Sequence, residues 1–171
     1  MMFPADLVIR FAVADDTAAI LGFIRDLADY EKLSHQVVAD EAQLRLTLFG
    51  VRPAAEVLIA ELGGAPVGFA LFFQSYSTFL AKPGLYLEDL FVRPVARGKG
   101  VGSALLSALG RIAIERQYGR VEWSVLDWNE PAIRLYQSLG AAAMTEWTVN
   151  RMTGAPLAAL AERWPHPVGK T

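Results

Sequence analysis

The order of elements predicts an α+β fold built on a mixed sheet. Apolar alternating segments follow one another with helices between only some of them. A Gly63-Gly64 pair joins two of these segments as a hairpin, and a glycine-rich turn opens a helix in the middle of the chain. A regular βαβ alternation would place a helical pattern between every pair of strands, and this sequence does not.

Taken in order, Leu7 to Val13 alternates as a first strand, and Asp15 and Asp16 precede a helix whose apolar residues Ile20, Phe23, Ile24, Leu27 and Tyr30 recur at helical spacing. That helix ends near Glu31. A second helical segment starts near Asp40 and is closed by Gly50 and Pro53. Glu56 to Leu62 and Pro66 to Tyr76 read as the two hairpin strands, and after the loop STFLAKPG a third long strand runs from Leu85 to Val92, stopped by Arg93-Pro94. A helix follows Gly102, with Ala104, Leu105, Leu109, Ile112 and Ala113 on one stripe. RVEWSVL is a strand, and NEPAIRLYQSLG a short helix begun by Asn129, with Pro131 in its first turn and Gly140 closing it. AAAMTEWTVNRM is expected to form a final strand or pair of strands. From Gly154 a short Ala/Leu segment leads to Pro165 and Pro167, and the end is expected to fray.

With 171 residues the chain suits one domain around a single core, of which residues 154–171 form a tail beyond a body of about 7–153. The composition is globular, 53% hydrophobic against 20% charged, and holds no uninterrupted apolar run able to span a bilayer. Pro4 and Asp6 stand where a secretory signal would carry basic residues. The sequence has no cysteine, which excludes disulfides and thiolate metal sites and suits the cytoplasm, while His35 and His166 are too few and too far apart for a metal cluster. A net charge of -2 gives no basic field for nucleic acid and mildly favours a cationic substrate.

RGKGVGS, Arg97 to Ser103, is the stretch that points to chemistry. A helix start offers unpaired backbone donors and partial positive charge, and small residues let phosphate oxygens reach those amides. Taken alone, such glycines also serve simply to start a helix. Two competing phosphate motifs fail. Gly98-Lys99 is followed by Gly100, not by Ser or Thr as a P-loop requires. A dinucleotide fingerprint belongs to the first strand and helix, with an acid at the far end of the next strand, whereas here Glu122 stands at the start of that strand.

VRPVARGKGVGSALL, followed some thirty residues later by NEPAIRLYQSLGA, resembles the acyl-CoA site of the GNAT N-acetyltransferase superfamily, whose Arg-x-x-Gly-x-Gly/Ala signature is met by Arg97, Gly98, Gly100 and Gly102. LADYEKL, LYLEDLFV and DWNEPAIRLYQSLGA further resemble its diamine acetyltransferase branch, which includes the spermidine/spermine and thialysine N-acetyltransferases. The resemblance covers roughly Leu7 to Trp147. It implies a mostly antiparallel twisted sheet of six to seven strands flanked by about four helices, with strands splayed at the acyl-CoA site. It also implies acetyl-CoA as cosubstrate with no metal, a small amine substrate, no nucleic acid or membrane partner, and a homodimer in which Trp147 to Met152 could be exchanged.

Carried over residue by residue, the resemblance makes Glu88 the base that deprotonates the amine, directly or through water, and Tyr136 the acid for the departing thiolate. Such a base is needed because an amine with a pKa of about 10.4 is protonated at neutral pH and cannot attack a thioester. By residue type alone Glu88 could equally hold a salt bridge and Tyr136 could be half-buried packing. Asp89 points to the other sheet face by strand alternation, with an acceptor role and a structural one both open. The cofactor's amides would run beside Leu90, Phe91 and Val92 as an extra strand, and its phosphates would meet Arg97, Gly98, Lys99, Gly100, Val101, Gly102 and Ser103. Asn129 would cap its helix and contact the cofactor arm. Tyr30 and Glu31 match the branch's Tyr-Glu pair and, with Glu88, Asp89 and Glu122, could line an acidic groove for the amine. SYSTFLAKPG departs from the polyamine enzymes, carrying Ser77 and Lys82 and no carboxylate, which leaves a lysine-like amine, thialysine or another amine open. Trp123, Trp128 and Trp147 read as core or interface aromatics. The function implied is transfer of acetyl from acetyl-CoA to a primary amine of a small cationic molecule, a diamine, polyamine or lysine-like amine. The alternative is an acyl-CoA-binding sensor without an acceptor site.

Overall fold

A computed structural model describes residues 3–164, 166, 168 and 169. They form five strands and five α-helices: β1 (Leu7–Phe11), α1 (Thr17–Tyr30), α2 (Glu41–Phe49), β2 (Glu56–Leu62), β3 (Ala65–Ser77), β4 (Lys82–Val92), α3 (Val101–Glu115), β5 (Val121–Trp123), α4 (Glu130–Ser138) and α5 (Gly154–Glu162). Contacts divide the chain between Glu130 and Pro131 into two compact units, and all the strands lie in the first.

In that unit the sheet order is β1-β2-β3-β4-β5, antiparallel from β1 to β4, with β5 parallel to β4. The hairpin between β2 and β3 forms as expected, because Gly63 and Gly64 both take positive φ, +59° and +79°, which the tight connection requires. One sheet face packs Leu58, Ala60, Ala70, Phe72, Leu85 and Leu87 against Val101, Leu105 and Leu109 of α3. The other packs Ile59, Phe69 and Phe91 against Ile20 and Phe23 of α1 and Leu44 and Leu48 of α2. Phe23 stacks on Phe69 with ring centroids 5.4 Å apart. Each such fully buried side chain contributes roughly 1.5–3 kcal/mol, so the two faces together fix where the strands end and the loops begin.

Local signals behave as the sequence suggests at α2, where the Asp40 side chain accepts from the Gln43 amide at 2.8 Å. Asp16 both caps and pairs: its carboxylate accepts from the Val13 amide at 2.7 Å. Its carboxylate grips the Arg10 guanidinium at 2.7 Å, and Arg10 also holds Glu61 across the sheet. Strand β4 begins at Lys82, so part of the expected loop STFLAKPG is strand, and α3 begins at Val101, before Gly102.

The sheet has five strands and not six or seven, and the helices number five and not four, among the described residues. Residues 141–153, expected to supply a final strand or pair of strands, pair with no strand. A strand needs a neighbour for its backbone groups as well as a suitable composition, and this segment has none in the described sheet. The Asn150 side chain instead bonds the Thr148 carbonyl locally at 3.0 Å. The Ala/Leu segment of the tail is the helix α5. The fraying expected beyond it falls largely on Pro165, Pro167, Lys170 and Thr171, which lie outside the described residues.

Candidate active site

Strands β4 and β5 stay together for only three register pairs, Leu85 with Val121, Tyr86 with Glu122 and Leu87 with Trp123. Past Trp123 the chain leaves the sheet, while β4 continues to Val92 still paired with β3. The run Glu88–Val92 therefore carries a strand edge that β5 does not cover, and this is the expected splay. Backbone donors and acceptors on such an edge suit an extended ligand bearing amides, added as one more strand.

A β-bulge sits at the point of parting. Leu71 faces Asp89 and Phe72 faces Leu87, so Glu88 is an extra residue on β4. The bulge reverses the alternation: Leu85 and Leu87 before it, and Leu90 and Val92 after it, belong to the α3 face, while Phe91 belongs to the α1 face. Asp89 shares the parity of Phe91, and Glu88 is exposed. Simple alternation, which would assign Glu88 and Asp89 to opposite faces, does not hold across this bulge.

The carboxyl of Asp89 is pushed up to about 6, first by burial and then by the negative charges of Glu88 and Glu31. Glu31 is itself raised by burial. Its position is set by the end of α1, where the Leu33 amide bonds the Ala28 carbonyl at 2.7 Å and the Lys32 amide bonds that of Asp29 at 3.0 Å. Lys32 sits at φ +61° to close this motif without a glycine. Three acids at adjoining positions, one of them buried, form a site that favours a cation. Glu122 does not join them as a free charge, since Arg120 bonds it at 2.6 Å. Ser77 faces inward, 3% exposed, and its hydroxyl accepts from the Leu80 amide and from Arg120.

Beyond Val92 the chain makes one 3-10 turn, Pro94–Ala96, and enters the glycine loop. Gly98 and Gly100 adopt φ of +73° and +81°, and Gly100 caps α3 in the left-handed region. The helix ladder begins with the Ala104 amide bonding the Gly100 carbonyl at 2.9 Å, which leaves the amides of Val101, Gly102 and Ser103 outside it. No heavy atom would lie within 4 Å of a Cβ on Gly98, so the loop's outer side is open to a phosphate. Lys99 is exposed, and the side chain of Ser103 is turned into the core. These features fit a pyrophosphate-bearing group.

The Arg97 side chain is tied into the protein at the end of β4. Its Nε donates to the Val92 carbonyl at 2.9 Å, and its guanidinium lies over the rings of Tyr30, at 4.8 Å, and Phe91, at 5.4 Å. The Tyr30 hydroxyl donates to Asn129 Oδ1 at 3.1 Å, and its ring tilts against Trp128 with centroids 5.6 Å apart. Trp128 and Trp147 are more than half exposed and belong to no core, whereas Trp123 packs against the α3 face. The sequence reading missed Trp128 as the neighbour of Tyr30. Its place immediately before Asn129 was the available signal.

Tyr136 lies on α4 in the second unit, and burial raises its phenol above the usual value. It is therefore protonated at neutral pH and able to donate. Gly140, at φ +86°, follows the end of that helix as the sequence suggests.

The sequence matches the acetyltransferase (GNAT) family model over residues 10–141. It is 39% identical to a thialysine N-epsilon-acetyltransferase of Bos taurus, covering 92% of this chain and 98% of that one. It is 34% identical to an L-ornithine N5-acetyltransferase of Arabidopsis thaliana, over 89% and 86%. An integron cassette protein from the mobile metagenome of V. cholerae superposes with a TM-score of 0.78 at 26% identity, over 93% of this chain and 99% of that one. With the splayed strands, the glycine-capped helix start and these matches together, the chain belongs to the acetyltransferase (GNAT) family, whose members use acetyl-CoA.

Proposed function

We propose that the protein transfers the acetyl group of acetyl-CoA directly to a primary amine of a small dication or lysine-like molecule, with thialysine, ornithine and short diamines the leading acceptors. The observation that carries this is the gathering of Glu31, Glu88 and Asp89 where the uncovered edge of β4 begins. A cation placed there relieves the mutual repulsion that raises Asp89, so the free site is electrostatically unsatisfied and the amine completes it. The acidic pair at the bulge accepts the proton that the ammonium must lose, with Glu88, the exposed member, passing it to solvent. Tyr136 donates to the thiolate as the carbon–sulfur bond breaks and the carbon–nitrogen bond forms. Leu90, Phe91 and Val92 supply backbone partners for the donor's amide arm, and the loop from Gly98 to Ser103 supplies amides for its phosphates.

The family match crosses the division at Glu130, which supports the reading of a single acetyltransferase domain, and a cytoplasmic location is part of the same proposal. We include a homodimer in the proposal. No described residue beyond Pro131 is fully buried, Tyr136 being partly so, and Met144, Trp147, Val149 and Met152 are each about half exposed or more. A second copy offering a strand to residues 147–152 would cover them. Light scattering reads this directly, and a monomer at micromolar concentration would remove the dimer from the proposal.

Turnover is tested by free-thiol release from acetyl-CoA against thialysine, lysine, ornithine, putrescine, spermidine, spermine and a blank. One amine should exceed the blank clearly, and Tyr136→Phe should suppress it. CoA binding with no turnover on any amine would instead support a sensor.

A further inference from the structure

Tyr30 is the one side chain described above that touches both lips of the gap between β4 and β5. On one side its ring carries the guanidinium of Arg97, which leads from β4 into the cofactor loop and is itself tied to the last carbonyl of β4. On the other, its ring meets Trp128 and its hydroxyl holds Asn129, both on the segment that leaves β5. The tyrosine is anchored from behind as the last residue of α1 and packs at the edge of the α1 face of the core. Its contacts on the two lips are of different kinds, a cation over a ring and a neutral hydrogen bond, so they are separable by mutation.

We propose that Tyr30 is a positioning residue, a latch that sets the width of the β4–β5 gap and so prepares the donor site, acting through Asn129 and Arg97 and not by binding the amine. This rests on the reading of that gap as the acetyl-CoA site. The wider consequence is a link between the two substrates. Glu31, next in the chain, belongs to the acidic cluster, so any movement of the end of α1 on amine binding is felt at both lips.

The test measures CoA affinity calorimetrically, which needs no acceptor, and steady-state KM values for both substrates. Tyr30→Phe keeps the ring and loses the bond to Asn129. It should weaken CoA binding about fivefold while the amine KM changes by less than about twofold. Tyr30→Leu also loses the support of Arg97 and should weaken it further, and melting temperatures check that each variant folds. In a double-mutant cycle, Tyr30→Phe and Asn129→Ala together should cost no more than the larger single effect. If Tyr30→Phe binds CoA as wild type does, or if only the amine KM rises, or if the two substitutions add, the latch is wrong. A wild-type protein that binds no CoA would overturn the acetyltransferase reading itself, a different result from any of these.

Discussion

Replacing Asp89 by Asn should make the free protein more stable while weakening its hold on the amine. An acid raised from 3.8 to about 6 costs the ionised folded state about 3 kcal/mol, at about 1.4 kcal/mol for each pH unit. The causes are burial first and then the charges of Glu88 and Glu31, and both vanish with the carboxylate. Asn keeps the shape but brings an amide that needs its own partner, which returns about 1–2 kcal/mol, so a net gain of about 1–2 kcal/mol is expected at pH 7.5. The pH dependence gives the sharper test. Because the folded pKa lies above the unfolded one, the native state binds the proton more tightly, and its stability is complete below about pH 4 and lost as pH rises through about 6. Urea unfolding of both proteins from pH 4 to 8 should therefore give a stability difference that moves in favour of the variant across pH 4–6 and then levels off. A difference that is flat with pH, or that moves against the variant as pH rises, would refute the idea that Asp89 is held against repulsion. With a dicationic amine present the gain should shrink, since the ligand supplies to wild type what the substitution removes.

Tyr136→Phe should lower kcat about 100-fold or more and leave CoA affinity nearly unchanged, measured by thiol release and calorimetry. Since burial raises that phenol, the wild-type alkaline limb due to this group should lie above the ordinary tyrosine value of about 10. Gly100→Ala forces a side chain to φ +81° beside Phe3, which should cost about 1–2 kcal/mol in urea unfolding and raise the acetyl-CoA KM. Gly98→Ala meets no neighbour and should cost only the backbone strain, so any larger rise in KM there reports on the ligand. Leu105→Ala, fully buried on the inner face of α3, should cost about 2–5 kcal/mol by thermal or urea melting with little change in KM.

Much of this molecule is legible without coordinates, because its signals are local. The Gly63-Gly64 turn, the helix start at Asp40 and the stop at Gly140 each depend on residues a few positions apart, and each stands where the sequence puts it, while α3 starts inside its glycine loop, ahead of the expected Gly102. The turns of the glycine loop are local as well, since the left-handed backbone at Gly98 and Gly100 is written in glycines. The bulge at Glu88 is not local. It exists because β3 advances one residue while β4 advances two, and no pattern within LYLEDLFV by itself reveals a register shift against Leu71 and Phe72. Residues 141–153, expected as a final strand, have no neighbour in the described sheet to make them one. Tyr30 was readable as half of a Tyr-Glu pair, but its bond to Asn129 spans 99 positions. The sequence alone determined the family and the chemistry of the donor, through short-range backbone rules. Only tertiary structure decided which carboxylates repel one another and which side chain bridges the gap, because charge and contact act through space between residues that the chain keeps far apart.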